Sequence, residues 1–127
     1  MGPRILLVDD EPQLLKMMSL YLGRRGFAVT TADTTEQAWT AMEAAPSDYA
    51  VAVLDATMSG MSMEELALRI LRASPSVSVI AASGYPVVMS ALEAAAPGRV
   101  MFLHKPFTSE MLVDAVRRMI GPEEEDV

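Results

Sequence analysis

Apolar residues fall along this chain in short unbroken runs, separated by longer segments with helical spacing. Ile5-Leu6-Leu7-Val8 is the first run. Four consecutive apolar residues with no polar alternation predict a strand buried on both faces. Phe27–Thr30, Ala50–Leu54, Val77–Ala81 and Val100–Leu103 predict four more strands. Helices fill the gaps. The first is expected from about Pro12 to Arg25: proline suits an early helical position, Arg24 and Arg25 complement the negative end, and Gly26 supplies a left-handed cap. Thr34 with Gln37 and Ser62 with Glu65 have capping-box spacing, and they open helices running to about Ala45 and Ala73. An Ala-rich helix is expected from about Val87 to Ala96, ahead of Pro97-Gly98. In the last helix Met111, Leu112, Ala115, Val116, Met119 and Ile120 make one continuous apolar face, and Gly121-Pro122 ends it.

Five strand–helix pairs with short links predict an α/β fold, a doubly wound five-stranded parallel sheet with five helices. The flavodoxin-like strand order 2-1-3-4-5 is the arrangement considered for it.

The length, 127 residues, fits one domain, and 51% hydrophobic residues can build a core. The domain is expected over residues 4–121, with 122–127 an acidic C-terminal tail. The absence of cysteine excludes disulfides, thiolate zinc sites and cysteine nucleophiles, and the single histidine excludes a His-rich metal site. A formal net charge of −7 argues against direct nucleic-acid binding, which needs clustered Lys and Arg. No apolar stretch is long enough to span a membrane, so a cytoplasmic protein without membrane insertion is expected.

In an open parallel sheet, ligands bind beyond the carboxyl ends of the strands. After the first strand come Asp9, Asp10 and Glu11; after the third, Asp55; after the fourth, Ser83 and Gly84; after the fifth, Lys105. With the first and third strands adjacent, the carboxylates converge, flanked by a hydroxyl and an ammonium. Packed carboxylates repel and raise one another's pKa unless a cation sits among them. Mg²⁺ fits, because it takes a few carboxylate oxygens and keeps positions open for water and phosphate. Asp10 and Asp55 would be direct ligands, and Asp9 direct or through water. Such a carboxylate can attack phosphorus to form an aspartyl phosphate, with Mg²⁺, Lys105 and Ser83 stabilising the transferring group. Gly84 lets the phosphate approach the backbone. The ordinary alternatives are a turn or helix cap for each Asp and a solvated surface residue for the Lys.

Four segments, Ile5-Leu6-Leu7-Val8-Asp9-Asp10-Glu11, Val53-Leu54-Asp55-Ala56-Thr57-Met58, Ala82-Ser83-Gly84-Tyr85 and Lys105-Pro106-Phe107, in this order resemble the motifs of bacterial response-regulator receiver domains, over about Arg4 to Gly121. The resemblance implies a two-component phosphorelay role. Asp55 would accept a phosphoryl group from a histidine kinase or histidine phosphotransfer protein, Asp9 and Asp10 would be the acidic pair, and the Thr57 backbone carbonyl a further metal ligand. Ser83 and Lys105 would contact the phosphoryl group. It also implies a cis Lys105–Pro106 bond and a switch in which Ser83 moves toward the phosphoryl group while Phe102 turns inward; a core aromatic is the plain alternative for Phe102. Gly84, Tyr85 and Met58 would flank the site, and Thr57 and Tyr85 could tune dephosphorylation. Ser-Gly-Tyr is similar to receivers of hybrid kinases and single-domain receivers.

Kinases and phosphotransfer proteins would dock on Leu14, Met17, Pro106 and Phe107; the alternative is that the apolar first helix is simply more deeply buried. The resemblance allows a homodimer through the helix 4–strand 5–helix 5 face. This chain departs from the family's frequent pattern at Ser59, where proline is common, and at Met63, where glycine is. The rival readings are a phosphorylation-independent pseudo-receiver, an aspartyl-phosphate phosphohydrolase and a flavin binder. Thr57, where the hydrolase class carries a second Asp, argues against the hydrolase, and the acidic first turn argues against the flavin binder.

Overall fold

The computed structural model describes residues 2–121. The expected acidic tail, 122–127, lies outside the described residues. The elements alternate in chain order: β1 (Arg4–Val8), α1 (Pro12–Arg24), β2 (Ala28–Ala32), α2 (Thr35–Ala44), β3 (Tyr49–Asp55), α3 (Met63–Ala73), β4 (Ser78–Ser83), α4 (Ser90–Ala95), β5 (Val100–His104) and α5 (Ser109–Ile120). The five strands form one parallel sheet in the order β2-β1-β3-β4-β5. The flavodoxin-like order considered for the sequence is the one observed.

The unbroken apolar runs are explained by the sheet's two covered faces. Leu6, Val8, Ala52, Leu54, Val79, Ala81 and Val100 pack with residues of α2, α3 and α4. The alternate positions Ile5, Leu7, Val51, Val53, Ile80 and Leu103 pack with α1 and α5. Ile5, Leu6, Leu7, Leu54 and Ile80 have no solvent exposure. Each such side chain contributes about 1.5–3 kcal/mol on burial. Met63 is the first residue of α3 and is buried in the α2–α3 layer, so the departure from glycine there is filled by core packing. Trp39 packs against the same layer, with the Arg69 guanidinium 5.9 Å above its ring.

Helix ends follow their capping signals. Thr34, Ser62 and Thr108 each accept the backbone N–H three residues on, at 3.0, 3.1 and 3.0 Å. The α1 C-terminus closes on Gly26 at φ +95°, where Gly26 N–H donates to Gly23 O and Phe27 N–H to Leu22 O.

Several boundaries differ from expectation. Phe27 spends its N–H on that cap, so β2 starts at Ala28; it runs on to Ala32, whose carbonyl accepts Asp9 N–H. β4 continues through Ser83 because Ala82 O accepts Ala56 N–H and Ser83 O accepts Lys105 N–H. α4 begins at Ser90, not Val87. Val87 and Val88 are β-branched and poor helix formers, and Met89 at the N-cap offers no side-chain acceptor.

Candidate functional site

Three strands end on side chains that bond back to their own loops. Asp9 Oδ1 accepts Glu11 N–H at 2.9 Å, Asp55 Oδ1 accepts Thr57 N–H at 3.2 Å, and Ser83 Oγ accepts Tyr85 N–H at 3.0 Å. Each is an acceptor-to-i+2 turn, the local habit of Asp and Ser. The habit orients the three groups at the carboxyl edge of the sheet. It also keeps them there at low exposure: Asp9 2%, Asp55 5%, Ser83 0%.

Strand order brings them together. Asp9, Asp10 and Asp55 each offer a carboxylate oxygen, all within 4.8 Å of one another. Asp10 is exposed, while Asp9 and Asp55 are buried. Lys105 crosses from the end of β5, placing Nζ 3.0 Å from Asp9 Oδ2 and 3.4 Å from Asp55 Oδ1. Burial by itself would lower the Lys105 pKa. The Asp9 hydrogen bond and charge, and then those of Asp55, outweigh burial and hold it above its ordinary value. Asp55 Oδ1 also accepts the Thr57 hydroxyl at 3.1 Å. Oδ1 of Asp55 thus takes all three donors, from the Thr57 amide, the Thr57 hydroxyl and Lys105, while Oδ2 accepts from none of the described residues.

A family model for the response regulator receiver domain matches residues 5–117. This chain belongs to the receiver-domain family. The receiver is 31% identical over 118 residues to the C4-dicarboxylate transport transcriptional regulatory protein DctD of Rhizobium meliloti, a match covering 92% of this chain and 25% of that protein. The chain therefore spans about a quarter of that relative's length. A response regulator receiver domain protein from Clostridium thermocellum superposes with a TM-score of 0.81 at 25% identity, covering 93% of this chain and 94% of that one. The receiver domain of the hybrid histidine kinase CckA superposes at 0.77 with 26% identity, covering 92% and 98%.

The remaining expected residues fall in three places. Gly84 lies at the rim with open space where a Cβ would stand, and Tyr85 is 71% exposed. Met58 packs against the α2–α3 layer. Phe102 is half-buried, belongs to neither core layer, and meets His104 edge-on at 6.2 Å between ring centroids. Leu14, Pro106 and Phe107 line a groove of about 380 Å³ with Glu11, Gly84 and Lys105. Met17 is not in that lining; it lies farther along α1, 50% exposed. With Met17 and Leu20 exposed and Leu15, Met18 and Leu22 buried, α1 is not deeply buried all round. The Lys105–Pro106 bond is cis. Ser59 is exposed, and the loop turns at Gly60, φ +87°, against Thr35 and Glu36.

Glu11 as a groove wall and the Thr57 hydroxyl as an Asp55 donor were not read as such from the sequence. The Asp-x-Thr spacing that makes an i+2 turn is the signal for the second.

Proposed function

We propose that this receiver takes a phosphoryl group onto Asp55 from a phosphohistidine on a histidine kinase or histidine phosphotransfer protein. The convergence of three carboxylates, two of them in contact with one ammonium, carries the reading. Clustered like charges oppose folding, so a site that gathers them is built for a cation and an anionic group. The donor set is all carboxylate oxygen, which suits Mg²⁺ rather than a softer metal. Asp9, Asp10 and Asp55 would hold the ion, with the Thr57 backbone carbonyl. When bound, Mg²⁺ offsets the charge of the carboxylates and of the phosphoryl oxygens.

Asp55 Oδ2, the oxygen with no donor, attacks phosphorus while Oδ1 stays tied to Thr57 and Lys105. The P–O bond forms as the P–N bond to the imidazole breaks, and the imidazole nitrogen takes up a proton. Lys105 and the Ser83 hydroxyl stabilise the equatorial oxygens. Later, water attacks phosphorus, and the carboxylate leaves as inorganic phosphate forms.

Phosphorylation draws the Ser83 hydroxyl toward the new anion, and Phe102 turns in from its half-buried position. Gly84, Tyr85 and Met58 border that movement. The donor docks over Leu14, Pro106 and Phe107, with Met17 extending the surface along α1. Self-association uses the α4–β5–α5 face. No helix among the described residues is long and apolar enough to cross a membrane, and the cytoplasm is the proposed setting, without direct nucleic-acid contact.

The test is incubation with Mg²⁺ and acetyl phosphate, followed by intact mass. One phosphoryl adduct, lost in Asp55→Asn, supports the reading. No adduct would leave a phosphorylation-independent binding module, and steady turnover of phosphomonoesters would mark a hydrolase.

A further inference from the structure

A cleft of about 710 Å³ opens at the other end of the molecule, where the strands begin. Its walls are Pro3 ahead of β1, the Arg25–Phe27 turn ahead of β2, and the last turns of α5 from Asp114 to Gly121. Arg25, Arg117 and Arg118 line it together with Phe27 and Ile120, and Asp114 is the one carboxylate among the described lining residues. Arg25 is held in place: its guanidinium donates to Tyr21 Oη at 2.7 Å and lies 4.9 Å from that ring's centroid. Basic residues in a last helical turn are ordinary dipole partners. Three guanidiniums from two separate chain segments around one concavity, in a protein of net charge −7, exceed that need. Among the described residues the salt bridges are Arg69–Glu65, Lys105–Asp9 and Lys105–Asp55, so none of the three cleft arginines has an acidic partner there.

We propose that this cleft is an acidic-peptide site and that its occupant is the chain's own Glu123-Glu124-Glu125-Asp126 run. Gly121 is itself a wall of the cleft. Its N–H makes the last bond of the helix, to Arg117 O, and its φ of +91° turns the backbone out of the helix there. The run starts two residues past the wall, and at about 3.3 Å per extended residue it reaches the arginines. Each exposed carboxylate–guanidinium pair is weak and screened by salt. Tethering compensates by giving the run a local concentration on the order of millimolar. Docking neutralises the arginines at the edge where the strands begin, opposite the phosphoacceptor. A competing acidic segment on a partner protein displaces the run.

The chain contains no cysteine, so Val127→Cys carries a single nitroxide in the full-length ¹⁵N-labelled protein. At low ionic strength the amides of Arg25, Gly26 and Phe27 are expected to lose intensity. The loss is expected to lessen at ~1 M salt, where screening is complete within a few ångströms. It is expected to lessen likewise when Arg25, Arg117 and Arg118 are all changed to Gln; all three are exposed, so folding is expected to survive, and far-UV circular dichroism checks it. Full intensity at Gly26 and Phe27 in low salt, or loss that ignores both salt and the arginines, overturns the proposal. So does loss arising only between spin-labelled ¹⁴N and unlabelled ¹⁵N copies, which assigns the run to a second molecule. Pyrophosphate shifting these amides equally with the run intact or neutralised to Gln and Asn makes the cleft a small-anion site, and also overturns it.

Discussion

Lys105 Nζ lies 3.0 Å from Asp9 Oδ2, although 96 positions separate the two residues in sequence. β3 and β4 stand between the strands that carry them. The bond is therefore made over the top of the sheet, and it neutralises part of a carboxylate cluster that would otherwise repel itself.

Replacing this ammonium without changing the side chain's bulk isolates its role. Lys105→Met is expected to slow phosphoryl adduct formation by roughly 10²-fold, the scale for losing one preorganised electrostatic donor. Removing the cation also leaves Asp9 and Asp55 more strongly attracted to Mg²⁺. Adduct mass against time and Mg²⁺ titration by calorimetry check the two effects. An unchanged rate would remove Lys105 from the chemistry.

The same contact predicts a pH dependence of stability. The Lys105 pKa is raised in the folded chain, so its stabilisation is fully present below the unfolded lysine value of about 10.4. It is lost as pH rises through the folded value. In metal-free buffer, the melting-point difference between the parent protein and Lys105→Met is expected to shrink with rising alkaline pH. A difference that stays constant over that range would contradict the linkage.

Asp10 is the exposed member of the carboxylate cluster. Asp10→Asn removes one repelling charge, so without Mg²⁺ the variant is expected to melt higher than the parent. With Mg²⁺ at ten times its Kd, the parent gains about 1.4 kcal/mol by mass action. The variant gains much less. Thermal unfolding with and without Mg²⁺ checks both signs.

Thr57 donates to Asp55 Oδ1 twice, through its amide and its hydroxyl. Thr57→Val keeps the shape and the amide bond and removes the hydroxyl. The expected cost is about 0.5–1.5 kcal/mol, the net worth of one hydrogen bond. Denaturant midpoints read it. The adduct lifetime, followed by mass, reports whether the hydroxyl also affects dephosphorylation.

Gly26 holds φ +95° and closes α1 with two backbone hydrogen bonds. A Cβ there meets no neighbour, so Gly26→Ala reports backbone conformation alone. A loss of about 1 kcal/mol is expected, because L-residues disfavour that region. Urea unfolding measures it.

Much of this molecule was legible in its residues. Consecutive apolar runs mark strands covered on both faces, because alternate side chains must each find a helix layer. Ser62 and Thr34 mark helix starts, because a side-chain oxygen satisfies an amide left open in the first turn. Asp9, Asp55, Ser83 and Lys105 stand at or just after strand ends, and parallel strands put those ends on one edge. What the sequence determined by itself is local: which segments bury, where helices begin, and which polar groups follow each strand.

Tertiary structure decided the rest. The 3.0 Å contact of Lys105 with Asp9 and the sharing of Asp55 Oδ1 among three donors depend on strand order, loop closure and packing. So does the arginine cleft, formed where the turn before β2 meets the end of α5. Periodicity carries no information about such meetings, because residues far apart in sequence become neighbours only when the two core layers close on the sheet.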